Sequence, residues 1–336
     1  MSTTRKGEIM IEKAEDINLF WAYDLNHSKN SDLTLLDNVQ FIYELSLAEL
    51  ELKALGANFE ITNGLREFKL NNQSKELNDK VIKRSSYFKS VGQSFTDYFY
   101  IIQKNRTRSV NQYLTHWIYP YKGKFHPQMI RALLNIIGLK EGDVVFEPFS
   151  GSGTTALEAQ LLGINFIGID ISPLCVLQGN VKTKSVYVID EIIKLKDDIL
   201  FKIKPSLFNK EEDFYKILKD IENENVRDFY TLVRLLAVSD NSRRGRAFEQ
   251  SFIKNLNLMI DSVRDYKEII KQLNLKLGNI DLKLGDARKI EILDNSMDGI
   301  ITSPLYSIPI DYVENVRNKE DYLENSDEKE IFKLAA

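Results

Sequence analysis

The sequence predicts an α/β chain built around a doubly wound parallel sheet, with an N-terminal α+β module and a helical insertion. Three observations carry this. "DVVFEPF" (143–149) is an apolar run of strand length that enters the glycine turn "SGSGTT" (150–155). The turn leads into the helical "ALEAQLLG" (156–163) and then a second strand, "NFIGID" (165–170), which ends in an acid. Further on, "NIDLKLGDAR" (279–288) and "MDGIITSP" (297–304) resume the strand pattern. Strand, glycine loop, helix and strand ending in an acid form the first half of a doubly wound sheet.

The remaining elements follow in chain order. Residues 1–40 are polar and irregular and are expected to be a loosely packed lead-in. Phe41–Leu45 and Phe59–Thr62 suit strands, Leu47–Leu55 has helical spacing closed by Gly56, and Arg66–Leu70 alternates again. "FHPQMIRALLNIIGL" (125–139) is expected to be a helix with Pro127 in its first turn. Residues 175–275 read as mostly helical; over 250–276, Phe252, Leu256, Met259, Val263, Tyr266, Ile270 and Leu273 share one face. The expected divisions are 1–110 for the N-terminal module, 111–174 for the first half of the cofactor domain, 175–275 for the insertion, and 276–336 for its second part.

Composition sets the class. With 336 residues, 43% hydrophobic and 28% charged, the chain is long enough for two or three modest domains. No apolar run approaches the roughly 18 residues that span a bilayer, and the polar N-terminus has no signal-peptide core, so the expected location is the cytoplasm. The single cysteine, Cys175, excludes a disulfide and argues against a cysteine-based zinc site. It reads as a small packing residue. Net charge is −4. Residues 98–140, however, hold seven Lys or Arg and no acid, interleaved with aromatics that include Tyr98, Tyr113, Trp117 and Tyr121. That pattern suits either a nucleic-acid groove, through Lys104, Arg106 and Arg108, or a solvated basic loop with core aromatics. Arg243, Arg244 and Arg246 form a second basic turn, open to the same two readings.

The candidate chemistry lies around "EPFSGSGTT" (147–155). Gly151 and Gly153 let backbone approach a ligand closely, and the next helix offers its free N–H groups. The loop lacks the Gly-Lys-Ser/Thr of a phosphate-binding P-loop, and its spacing differs from a nicotinamide site. Glu147 precedes the turn, and Asp170 stands where an acid accepts hydrogen bonds from both ribose hydroxyls. A nucleoside cofactor is therefore expected. His116 and His126 lie ten residues apart, without an acidic partner legible in the sequence. A metal site is not expected there.

Taken together, the glycine loop, Asp170 and "TSPLYSIPIDYVEN" (302–315) resemble the S-adenosylmethionine-dependent amino-methyltransferases that modify cytosine N4 or adenine N6 in DNA. "HWIYPYKGKFHPQMIR" (116–131) resembles the segment that precedes their glycine loop, and "KLGDAR" (283–288) their third-strand element. The resemblance implies that Phe125, Glu147, Phe149, Gly151, Gly153, Thr154, Asp170 and Asp286 hold S-adenosylmethionine, and that Ser303, Pro304 and Tyr306 hold the target base. It implies DNA methylation, at cytosine N4, in a restriction–modification-like system. The alternatives are an RNA enzyme of the tRNA guanine-N2 type and a catalytically inactive nucleic-acid-binding remnant. Leu305 replaces the second proline of the family's Ser-Pro-Pro-Tyr loop, which relaxes the restriction on Pro304. The family's sheet continues with three further strands where this sequence shows four, which implies either a second polypeptide completing the fold or a shortened product.

Overall fold

The computed structural model describes residues 32–107, 109–121, 123–202 and 217–303. The chain divides into two compact units between Phe99 and Tyr100, inside the stretch that the sequence assigns to the end of the N-terminal module.

The first unit is an antiparallel five-stranded sheet of order β2-β3-β1-β4-β5 with helices from the same stretch of chain. Its strands are β1 (Leu33–Leu35), β2 (Phe59–Thr62), β3 (Glu67–Leu70), β4 (Phe88–Val91) and β5 (Ser94–Phe95). The helices are α1 (Ile42–Leu55) and α2 (Lys75–Arg84), and the division into two units falls within α3 (Asp97–Gln103). Two expectations are corrected. The lead-in is not loose at its end: β1 is the middle strand, and Leu33 and Leu35 are completely buried. Three residues are too short a run for alternation to register. Phe41–Leu45 is not a strand but the start of α1. The Glu44 carboxylate turns back to accept hydrogen bonds from the backbone N–H of Phe41 (3.0 Å) and of Gln40 (2.8 Å). That serves donors which the helix itself leaves free. Gly56, at φ 97°, ends α1 where the sequence places the stop.

The second unit carries α4 (Pro127–Ile136), β6 (Val144–Glu147), α5 (Thr154–Leu161), β7 (Asn165–Asp170) and α6 (Pro173–Lys202). Then follow α7 (Glu224–Arg244), α8 (Phe248–Leu273), β8 (Ile280–Leu284) and β9 (Gly299–Ile300). The sheet order is β8-β7-β6-β9, every pair parallel. This is the α/β class read from the sequence. Side chains alternate across a strand, so Val145 and Phe166 face α4 and α5 within a core that includes Ile130, Leu134, Ala156, Ala159 and Leu282. Glu147 is two residues beyond Val145, on that same face. Among the described residues, no helix is long and apolar enough to cross a membrane.

Candidate cofactor site and catalytic loop

Because β6, β7 and β8 are parallel, their carboxyl ends come together, and ligands of open α/β sheets bind outside such ends. The loop after β6 is tied to β7 by the Ser150 N–H, which donates to the Ile169 carbonyl (3.0 Å), and is closed on itself by Gly153 N–H to Ser150 carbonyl (2.9 Å). Gly151 (φ 49°) and Gly153 (φ 73°) both occupy the left-handed region. A Cβ on Gly153 would lie 2.7 Å from the Cα of Gly179, so the start of α5 meets α6 backbone to backbone. A Cβ on Gly151 would come within 3.2 Å of the Tyr121 ring, which lies against the loop.

Asp170 sits beside this loop. One carboxylate oxygen accepts from the Gly151 N–H (2.7 Å), the other from the Ser172 N–H (2.9 Å). The Asp170 carbonyl accepts from Gly285 N–H (3.0 Å), joining the end of β8 to the same place. Asp286 follows directly and is clasped by the Arg288 guanidinium at 2.6–3.0 Å. Those bonds, with the Arg288 N–H, hold its carboxyl down at about 2. Thr154 opens α5, buried, with a hydroxyl that makes no hydrogen bond. Phe149 is half-buried, and Phe125 packs partly against the core.

Glu147 is 1% exposed, and neither carboxylate oxygen makes a hydrogen bond of good geometry. Burial pushes its carboxyl up to about 8; the Thr155 hydroxyl offsets part of the rise and the Asp170 charge adds to it. An acid left bare in a buried position beside two glycines that admit a ligand fits a group arriving with a positive charge.

A second polar cluster underlies the loop. Glu158, completely buried in α5, accepts from Tyr113 hydroxyl (2.6 Å) and His116 Nε2 (2.8 Å) and lies 3.5 Å from the Arg131 guanidinium. His116 therefore has an acidic partner, contrary to the expectation from sequence, because that partner lies 42 residues away along the chain. Burial, with the Lys124 charge adding, pushes the imidazole down to about 3, so it is neutral and donates from Nε2. Burial alone would raise the Glu158 carboxyl; the His116 and Tyr113 hydrogen bonds and the Arg131 charge hold it below its ordinary value. Lys182, fully enclosed in α6, donates from Nζ to the Ser152 carbonyl of the glycine loop (2.8 Å). Neither Glu158 nor Lys182 was legible as functional, although a lone acid within an apolar helix was the available signal.

In the basic–aromatic stretch, two cations are paired with acids and several aromatics are buried. Arg106 pairs with Asp265 through two hydrogen bonds (2.7 and 3.0 Å), and Lys104 with Glu268 (2.9 Å), both on α8. Tyr113 is buried, and Trp117 donates to the Ser262 hydroxyl (2.7 Å). These pairings favour the second reading of Lys104 and Arg106, a basic loop over core aromatics, above the nucleic-acid groove. Arg108, and the side chains of Arg243 and Arg244, lie outside the described residues. Cys175 is buried, as a packing residue would be.

Of the catalytic candidates, Ser303 is described and half-buried; Pro304 and Tyr306 lie outside the described residues. β9 runs parallel to β6, with Ile301 N–H donating to the Phe146 carbonyl (3.0 Å). Ser303 thus leaves the sheet at the end where Glu147 and Asp170 stand.

This arrangement defines a nucleoside-cofactor domain of the glycine-loop α/β class. Comparison with known proteins makes it specific. The DNA methylase family matches residues 18–180, and the chain is similar there to amino-methyltransferases of the N4/N6 family, whose methyl donor is S-adenosylmethionine. It is 38% identical over 131 residues to the Type II methyltransferase M.MjaII of Methanocaldococcus jannaschii, covering 39% of this chain and 23% of that protein. It is 26% identical over 316 aligned residues to the Type II methyltransferase M.BsoBI of Geobacillus stearothermophilus, covering 76% and 60%. A tRNA (guanine(10)-N2)-dimethyltransferase of M. jannaschii is 33% identical over 116 residues, covering 34% and 31%. The chain spans less than two thirds of the length of each of these relatives.

Proposed function

We propose that the protein transfers a methyl group from S-adenosylmethionine to an exocyclic amino group of a base in DNA, cytosine N4 in the first instance, as part of a cytoplasmic restriction–modification-like system. The observation that carries this reading is the convergence of Glu147, Asp170 and Ser303 at one end of the parallel sheet, around a loop with two left-handed glycines. When bound, the cofactor supplies an electrophilic methyl on a sulfonium. Glu147 is placed to receive the α-ammonium of its amino-acid tail, and Asp170 its ribose hydroxyls, as for acids at this position in doubly wound sheets.

The target amino group is a weak nucleophile because its lone pair is conjugated with the ring. In this proposal the amino group donates one hydrogen bond to the Ser303 hydroxyl and the other to the Pro304 carbonyl, which turns the lone pair out of the ring plane and aims it. Tyr306 stacks on the base after it has left the duplex. The match to tRNA guanine-N2 enzymes supports RNA as the second reading of the substrate.

The test is to incubate the protein with labelled S-adenosylmethionine and either duplex DNA or tRNA, then digest and identify the modified nucleoside. N4-methylcytosine from DNA is expected. Ser303→Ala should lower turnover on the order of a hundredfold and leave cofactor affinity unchanged. N2-methylguanosine from tRNA, with unmodified DNA, would replace the proposal by its rival.

A further inference from the structure

Arg234 stands in the middle of α7 and is 6% exposed. A guanidinium carries five N–H donors and a charge it cannot shed. Among the described residues, this one makes no hydrogen bond and no ion pair. The acids nearest to it along the helix, Asp228 and Asp240, stand six residues to either side. Six residues are about one and two-thirds turns, so both leave the helix on other sides. Asp240 is moreover taken by Arg246 (3.9 Å) and Asn255 (3.3 Å). Other buried charges of this unit have partners: Arg131 meets Glu158, and Asp265 meets Arg106. A buried charge left bare is costly unless a counter-charge arrives.

The rest of α7 shows what kind of anion fits. Phe229, Tyr230, Leu232, Val233 and Ala237 are completely buried, in a helix packed against α6 and α8. Thr231, Arg234, Val238 and Asn241 recur at three- and four-residue spacing, which places them on one strip. The strip opens toward the C-terminal end, where Val238 is half-buried and Asn241 exposed. There Asn241 Nδ2 donates to the Arg246 carbonyl (2.7 Å), and the Asn241 carbonyl accepts from the Gly245 N–H (2.9 Å). The turn that holds Arg243, Arg244 and Arg246 is thus tied to the strip that holds Arg234. The acids Glu224 and Asp228 lie at the other end of the helix. Cations strung over about 15 Å of helix suit a polymer of regularly spaced phosphates better than a single small anion.

We infer that Arg234 takes a backbone phosphate of the DNA substrate, as the innermost cation of a strip that continues into the basic turn. A planar guanidinium grips a phosphate through two parallel N–H bonds. The inference rests on the reading that DNA is the substrate. The test is binding of a fluorescently labelled mixed-sequence duplex across a salt series, read beside urea unfolding without DNA. Arg234→Met removes the charge and keeps apolar bulk, so it should be as stable as the parent or more stable. It should nevertheless bind the duplex about tenfold more weakly. Its log–log salt slope should be shallower by about 0.9, the loss of one phosphate contact. Arg234→Lys keeps the charge and should keep the slope. Binding and slope equal to the parent's, or a Met variant less stable than the parent, would make Arg234 structural and overturn the inference while the substrate reading stands. A parent protein that binds no duplex overturns both.

Discussion

Glu158→Ala is expected to destabilise the second unit by about 3–5 kcal/mol, the range for removing one member of a buried charged pair. The carboxylate is 0% exposed, as are the His116 and Arg131 side chains that meet it. Its removal strips the hydrogen-bond acceptor from Tyr113 and His116 and leaves the Arg131 charge without this counter-charge, next to two buried lysines. Glu158→Gln should cost less, because an amide oxygen still accepts from Tyr113 or His116. Both effects are read from urea unfolding midpoints. The His116 imidazole is depressed and the Glu158 carboxyl is held below its ordinary value, so both groups take up protons more readily in the unfolded chain. The stability they contribute is present above the ordinary histidine range and is lost as pH falls through it toward the carboxylate range. A Glu158→Ala protein as stable as the parent would show that Arg131 does not depend on this acid.

Glu147→Gln is expected to move stability and binding in opposite directions. A carboxyl raised from 4.5 to about 8 by burial keeps its proton when folded and loses it when unfolded anywhere between those values. The unfolded state then binds fewer protons, so stability falls as pH rises through that window. At pH 7 the penalty is on the order of 3 kcal/mol. Glutamine removes the slope. The variant should match the parent near pH 4.5 and become progressively more stable than it toward pH 8. Its affinity for S-adenosylmethionine should meanwhile fall tenfold or more, since an amide cannot neutralise an ammonium. Parallel stability curves for parent and variant would show that Glu147 is not the bare acid described above.

The sequence revealed what depends on local pattern. Val144–Glu147 and Asn165–Asp170 are strands of a buried parallel sheet, which read as apolar runs, and the glycines between them announce the turn. Gly56 marks the end of α1 for the same local reason. What escaped was set by partners distant in the chain. The strand at Leu33–Leu35 is fixed by pairing with Phe68 and Val91, and nothing within three residues signals it. His116 finds its acid 42 residues away and Arg106 finds Asp265 159 residues away. A cationic stretch without local acids therefore read as unpaired, although acids of α8 pair with Lys104 and Arg106. Lys182 escaped because its hydrogen bond to the Ser152 carbonyl, 30 residues away, exists only once the chain has folded.

The central claim is that the loop between β6 and α5, with Asp170 beside it, holds S-adenosylmethionine. Titrating the protein with that cofactor in a calorimeter, alongside Asp170→Ala, tests it most directly. Charge-assisted hydrogen bonds are worth roughly 1.5–3 kcal/mol each. One-to-one binding by the parent, weakened at least tenfold in the variant while its circular dichroism stays unchanged, is the predicted result. Equal affinity in the two proteins, or no binding by the parent, would contradict the account.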